Sequence, residues 1–318
     1  MIEIIKKKST DFTDTDIEEL YKLFETVFHK KRSISEFKNQ FLNTSLGYSF
    51  HALAKDNDLV VGHNVYIPFR YLKDNEPFLL CLSVDAMLHP DYRGKGLYRK
   101  MLSACEDMAR SEGCRMRIGF PNDNSYPVQI NGFKYNDVGK LDTYCLPVNI
   151  GGFNRKFEFL EPLARLASKS VVALSKCSKS TKGKPYKFRK DIYDFNSFRY
   201  KWFDSDYNIL ELDDVHVVYK DSIFKDKKAT FIMDVYPMTK RNFDLAVREV
   251  YNRTKSYTPI ILYVGNLPFT PLSMIRVPHK FEPKHFHFVT KIFDSDFIGP
   301  ESLEIANWDL NLSNYDLL

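Results

Sequence analysis

Two periodicities share this chain, and over the first 145 residues they alternate. Residues 2–5 read as an opening strand. The cluster Asp14, Thr15, Asp16 then offers an N-cap before Ile17, Leu20, Leu23, Phe24 and Val27, which are spaced as one face of a helix. Residues 48–54 and 59–72 follow as strands on either side of the turn Lys55-Asp56-Asn57-Asp58. Residues 78–88 are almost unbroken in apolar character and stop at Pro90, the pattern of a central strand covered on both faces. After a glycine turn, Leu97, Met101, Cys105 and Met108 recur at helical spacing, and Gly113 stands where a helix would be capped. A strand near 115–120, the polar turn Pro121-Asn122-Asp123-Asn124, a short helix and Gly132-Phe133 complete this part. Strands alternating with helices predict an α/β domain, a mixed sheet flanked by helices.

From about residue 151 to 190 the character changes. Leu160, Leu163, Ala167, Val171 and Leu174 keep helical spacing, and a lysine-rich tract with Gly183 follows, read as a flexible connection. Strands are expected at 216–219, 229–236, 259–264 and 285–292, with a helix at 244–254, again an α/β pattern. The order partly mirrors the first half, so a degenerate repeat of the same fold is one reading of residues 151–318. The expected domains are therefore 1–150 and 151–318.

Composition narrows the class without choosing a chemistry. At 318 residues and 44% hydrophobic content the chain can bury two cores. No apolar run approaches the roughly 18 residues of a membrane span, and the first residues lack a signal peptide's apolar stretch, so the expectation is a cytoplasmic protein without integral membrane association. The five cysteines, Cys81, Cys105, Cys114, Cys145 and Cys177, form no C-x-x-C pair and read as buried reduced thiols. A net charge of +5 suits anionic ligands and does not by itself point to nucleic acid, which is not expected as a partner.

The chemistry gathers at one turn. Leu88-His89-Pro90 ends a strand, and Asp91-Tyr92-Arg93-Gly94-Lys95-Gly96-Leu97-Tyr98 opens a helix. Glycines let a backbone approach an anion closely, the first N–H groups of the helix point at it, and Arg93 and Lys95 add charge. The helix dipole adds about 0.3 to 1 kcal/mol. A diphosphate fits such a cradle. Neither G-x-G-x-x-G after the first strand nor G-K-[ST] is present, which excludes the Rossmann and Walker patterns.

Here the sequence resembles the GCN5-related N-acetyltransferases (GNAT), whose signature is R/Q-x-x-G-x-G/A after an apolar-x-Pro segment. Arg93, Gly96 and Tyr98 stand at its three positions, with tyrosine in place of the last small residue. The following strand, Asn122-x-x-Ser125 and Gly132-Phe133 come in the family's order, and the resemblance covers residues 1–145. It implies a GNAT-type mixed sheet, acetyl-CoA as cofactor, and transfer of its acetyl group to an amine. By position, Gly94, Lys95, Gly96 and Leu97 join Arg93 and Tyr98 around the pyrophosphate, and the Leu88 amide faces the thioester carbonyl.

A base must take the amine's proton. Asp85, a lone carboxylate in an apolar strand, is the candidate, and the competing use is to cap a bulge or pair with an arginine. The family's acid position falls on Val128, so Tyr126 or Tyr98 is the substitute, with packing as the alternative and solvent as another proton source. Asn122 and Asn124 are candidates for the pantetheine amides or for capping the next helix. Larger members with a second α/β half often modify amino sugars of surface polysaccharides. The acceptor implied is thus a small primary amine, with a protein, peptide or polyamine as rival, and a non-catalytic acyl-CoA-binding module as a rival of another class.

Other features are weaker. His285 and His287 share a strand face without a third ligand, His51, His63 and His89 are isolated, and no metal site is expected. Tyr200, Trp202, Phe203, Tyr207, Tyr236 and Trp308 line an acceptor cleft or fill a core. The basic tract with its preceding helix reads as a solvated loop, or as a contact for an anionic membrane or a nucleotide-linked substrate.

Overall fold

The structure is a computed structural model that describes residues 2–149, 151, 159, 161–179, 185–191, 207–224, 227–282 and 284–314. It is a mixed α/β protein with two sheets flanked by helices, and it divides into two compact units. The units are interleaved along the chain. The first takes residues 1–139, 188–205 and 287–304, the second 140–187, 206–286 and 305–318.

In the first unit the strands are β1 (Ile2–Lys8), β2 (Phe50–Asp56), β3 (Leu59–Lys73), β4 (Glu76–Leu88), β5 (Cys114–Gly119), β6 (Asn136–Lys140), β8 (Phe188–Lys190) and β14 (His287–Ile292). Their order is β1-β2-β3-β4-β5-β14-β6, with β8 beside β3. Neighbours from β1 to β4 run antiparallel, and β4 and β5 run parallel. The parallel step needs a crossover, supplied by helix α3 (Leu97–Ser111), whose Met101, Leu102 and Cys105 pack with Phe50, Ala52 and Val61. Gly113 follows α3 with φ +84°, as its capping position requires.

Helix α1 (Asp14–Phe28) begins at a capping box, with Thr13 accepting from the Asp16 N–H and Asp16 returning to Thr13. It buries Ile17, Leu20, Leu23 and Phe24, the predicted stripe. Helix α2 (Ile34–Phe41) is an addition to the sequence reading. It starts with a second box, Ser33 with Glu36, and buries Phe37 and Phe41.

The second unit contains β7 (Asp142–Pro147), β9 (Tyr207–Leu212), β10 (Val215–Phe224), β11 (Lys227–Tyr236), β12 (Ile260–Gly265) and β13 (Ile275–Val277), in the order β13-β7-β12-β11-β10-β9. Helices α4 (Glu161–Leu174) and α5 (Lys240–Thr254) belong to this unit. Its core joins Val217, Ile232, Phe243, Val247, Ile261 and Tyr263. Antiparallel β9, β10 and β11 lead through α5 to β12, parallel to β11, the same sequence of steps as β2, β3, β4, α3 and β5.

The division expected at residue 150 is corrected by this arrangement. β7 precedes it and lies in the second sheet, whereas β14 comes from the far half and completes the first. The apolar pattern marks a strand but leaves open which edge it pairs with.

Two further expectations change. Most of the periodic stripe of α4 faces outward: Ser168 and Val172 are buried and Val171 packs partly on the core, while Leu163 and Leu174 are 64% and 65% exposed. Cys177 is exposed rather than buried, although Cys81, Cys105 and Cys114 are buried and all five thiols are free. Tyr200, Trp202 and Phe203 lie outside the described residues, as does Leu160. Trp308 is fully buried and so lines no cleft. Among the described residues no helix is long and apolar enough to cross a membrane.

Candidate active site

The site is built where β4 leaves its neighbour. β4 pairs with β5 from Leu79 to Ser83, the last pair being Ser83 with Gly119, and residues 84–88 continue without a β5 partner. The departure begins at a bulge. Against β3, Val84 pairs with Val65 and Met87 with His63, so Asp85 and Ala86 oppose the single residue Asn64. Asp85 carries the bend with φ +47°. Residues 83–86 are half-buried or exposed, which corrects the expectation of a strand covered on both faces throughout.

One backbone donor is aimed into the opening. The His89 N–H donates to Val61 O on β3 at 2.8 Å. Successive N–H groups of a strand point to opposite edges, so the Leu88 N–H points away from β3. The Leu88 side chain meanwhile packs beside Gly62 and Met101, where a Cβ on Gly62 would meet them at 2.9 Å. The apolar residue at 88 thus serves the core, while its amide stays on the open edge.

The glycine turn supplies the second part. Gly94 and Gly96 have φ +77° and +72°, and a Cβ built on either meets nothing within 4 Å. Gly96 is the N-cap of α3 and brings no side-chain cap, so the first N–H groups of the helix remain available to an anion. Arg93, Lys95, Arg99 and Lys100 are all exposed around this corner. The Lys95 ammonium lies 4.7 Å from the Tyr92 ring, and the Tyr92 hydroxyl donates to Asp56 at 2.9 Å, which ties the turn to the β2–β3 hairpin.

Tyr98, where the family's motif has a small residue, points its ring at Phe133, 5.3 Å away at 62°. Its bulk is absorbed between α3 and the Gly132-Phe133 turn. Arg99 fastens the same joint by donating to Gly132 O at 3.1 Å. Sequence reasoning missed Arg99, which sits one residue beyond the motif.

Asp85 combines both structural alternatives considered for it. It sits at the bulge, and its Oδ2 accepts from Arg32 Nη1 at 2.5 Å and from Gln40 Nε2 at 3.2 Å. Arg32 stacks over Phe24 of α1 at 4.1 Å. Asp85 therefore faces the side of the sheet that carries α1 and α2, opposite α3. Arg32 and Gln40 left no trace in the sequence reading because they lie 53 and 45 residues away.

Tyr126 is not brought to this opening. Its ring stacks on His287 of β14 at 3.9 Å, on the side of β5 remote from β4, and its hydroxyl donates to Asp137 at 2.5 Å. That hydrogen bond, with some burial, pushes the phenol up to about 12. A phenol that holds its proton this firmly and points elsewhere is a poor donor to a thiolate. Tyr126→Phe is expected to change turnover by less than about threefold, measured as thiol release; a loss of tenfold or more would restore it as the acid.

Asn122 caps the turn after β5, accepting from the Asn124 and Ser125 N–H groups at 3.1 and 2.9 Å. The capping role considered mainly for Asn124 thus belongs to Asn122. His51 and His63, expected to be isolated, meet each other at 2.8 Å in the core, His279 and His285 share Glu282 at 2.8 and 3.4 Å, and His287 meets Asp123 at 3.1 Å.

Comparison with known proteins agrees with this geometry. Residues 9–130 match the family described as acetyltransferase (GNAT) domain. No curated protein matches the chain significantly. Among solved structures, a GCN5-related N-acetyltransferase from Kribbella flavida is similar at TM-score 0.58 and 12% identity, over 93% of this chain and 72% of that one. A GCN5-related N-acetyltransferase from Anabaena variabilis is similar at 0.57 and 11%, over 92% and 73%. Eis1 from Mycobacterium abscessus is similar at 0.54 and 8%, over 92% and 74%. The glycine turn, the crossover helix and the opened β4–β5 edge thus lie within or beside the segment that matches the acetyltransferase (GNAT) domain, and the two-unit fold is that of GCN5-related N-acetyltransferases of known structure.

Proposed function

We propose that the protein transfers the acetyl group of acetyl-CoA to a primary amine of a small acceptor. The observation that carries this reading is the pairing of an uncapped α3 N-terminus, flanked by Arg93 and Lys95, with the gap that opens beyond Ser83 on β4. Acetyl-CoA supplies a diphosphate for the first and, along the pantetheine arm, a reactive thioester for the second.

The residues divide the work by position. The N–H groups at the start of α3, with Arg93 and Lys95, hold negative charge. The Leu88 N–H donates to an oxygen that becomes negative as the amine attacks, a preorganised contact worth about 10²-fold to 10³-fold in rate. Asp85 is our candidate for the base, held in orientation by Arg32 and Gln40 on the face away from α3. With Tyr126 turned aside, solvent is left to protonate the departing thiolate.

The same trio of carboxylate, amide and guanidinium offers both donors and acceptors to a hydroxylated amine, which favours an amino sugar over an aliphatic polyamine. Incubating the purified protein with acetyl-CoA and nucleotide-linked amino sugars, polyamines and lysine peptides should release thiol fastest with the sugars. Release with peptides alone would sink the acceptor class. No release with any amine, while coenzyme A still binds, would leave a binding module. Asp85→Asn should cut turnover about a hundredfold and shift the remaining activity to higher pH, where more amine is already deprotonated. An unchanged pH profile would remove Asp85 from proton transfer.

A further inference from the structure

Helix α4 is inverted for a helix that packs on a core. Its inward side is Ser168 and Val172, with the Ser168 hydroxyl donating to Pro147 O and to Ala164 O. Its outward side carries Leu163, Leu166 and Leu174, exposed by 64%, 63% and 65%, and Phe159 just before it is 75% exposed. At 100° per residue, Leu163, Leu166, Ala167, Ser170, Ala173 and Leu174 fall within one uncharged arc.

The flank of that arc is cationic. Arg165, Lys169 and Lys176 follow at helical spacing and face Arg248 and Lys255 across a groove of about 490 Å³ beside α5. Only Arg165 has a carboxylate on α4 itself, Glu161 at 2.5 Å, and Lys169 and Lys176 have none among the described residues. No aspartate or glutamate lines the groove.

We propose that α4 and this groove form a docking surface for an anionic phospholipid bilayer, with the helix lying in the interface plane. The leucines enter the acyl boundary, and the lysines and arginines extend from their apolar stems to the phosphates. Charge complementarity selects this occupant: among the described residues Lys169, Lys176 and Lys255 have no carboxylate partner, which a neutral apolar partner would leave so, and a small free anion would leave the leucines in water. The helix's 14 residues suit lying on a membrane rather than crossing it.

The test is co-sedimentation of the full chain with vesicles of phosphatidylcholine alone or phosphatidylcholine mixed with phosphatidylglycerol. Binding is expected only with the anionic vesicles, and added salt should release it. Lys169→Glu with Lys176→Glu should weaken partitioning at least about 25-fold, at about fivefold per cation. Leu163→Glu with Leu166→Glu should weaken it at least tenfold; both leucines are exposed, so thermal melting should stay unchanged. The proposal is overturned if anionic and neutral vesicles bind alike, or if neither binds. It is overturned equally if sedimentation velocity shows a dimer that the leucine variant converts to monomer, or if inorganic phosphate at matched ionic strength displaces the protein and the leucine variant still binds.

Discussion

Reversing both charges at the glycine turn, Arg93→Glu with Lys95→Glu, should weaken coenzyme A binding about a thousandfold. Two charge-assisted contacts at about 2 kcal/mol each give roughly 4 kcal/mol. Both side chains are exposed and neither makes an ion pair among the described residues, so melting should move little and the loss can be assigned to the ligand. The measurement is calorimetric titration with coenzyme A at fixed salt, because added ions shrink the effect. Undiminished affinity would mean that the diphosphate is held elsewhere, and the cofactor assignment would fall with it.

Asp244→Ala is expected to be the most damaging single change to the second unit. The Asp244 carboxylate is fully buried on α5 and accepts from Ser178 Oγ at 2.6 Å, Leu272 N at 3.0 Å, Ser273 N at 2.9 Å and Ser273 Oγ at 2.6 Å. It joins the helix to the segment that follows α4 and to the loop before β13. Alanine leaves those donors buried without an acceptor, a loss of about 4 kcal/mol. Urea unfolding followed by a probe in this unit should show a midpoint lower by about 2 M. Asp244→Asn, which keeps one acceptor oxygen, should lose about half as much, and an unchanged midpoint for alanine would refute the account.

The sequence was most legible where chemistry is local. The stripe of α1, the cap at Gly113 and the glycine turn from Tyr92 to Tyr98 each depend on neighbours within a few residues, and as backbone each stands where the pattern puts it. Helix α2 was legible in principle, since Ser33 and Glu36 form a capping box before Phe37 and Phe41, but at eight residues it is too short for periodicity to announce it.

What depends on distant pairing stayed hidden. The strand expected at 285–292 was read with the second half, and its pairing beside β5 places it in the first sheet. Asp85 is visible as an anomaly in an apolar run, while its partner Arg32 is fixed by the path of the chain between α1 and α2. The periodicity of α4 was real, yet its inward side proved to be the one bearing Ser168 and Val172. Spacing gives a helix a face without giving that face a direction.

The second sheet repeats the opened edge of the first. β11 pairs with β12 from Thr230 to Ile232, and β10 shifts register against β11 between Val218 and Tyr219, opposite the end of that pairing. There residues 310–313 lie across the gap: Asn311 and Ser313 donate to Asp234 on β11 at 2.8 and 2.9 Å, and Asn311 bridges to Gly265 on β12. A Cβ on Gly265 would strike Leu310 O at 2.6 Å, so the fit leaves no slack. The neighbouring helix start is likewise closed, by Thr239 accepting from the Asn242 N–H at 3.1 Å. The second sheet thus draws cohesion from a tethered stretch of its own polypeptide, whose local concentration is fixed by the chain.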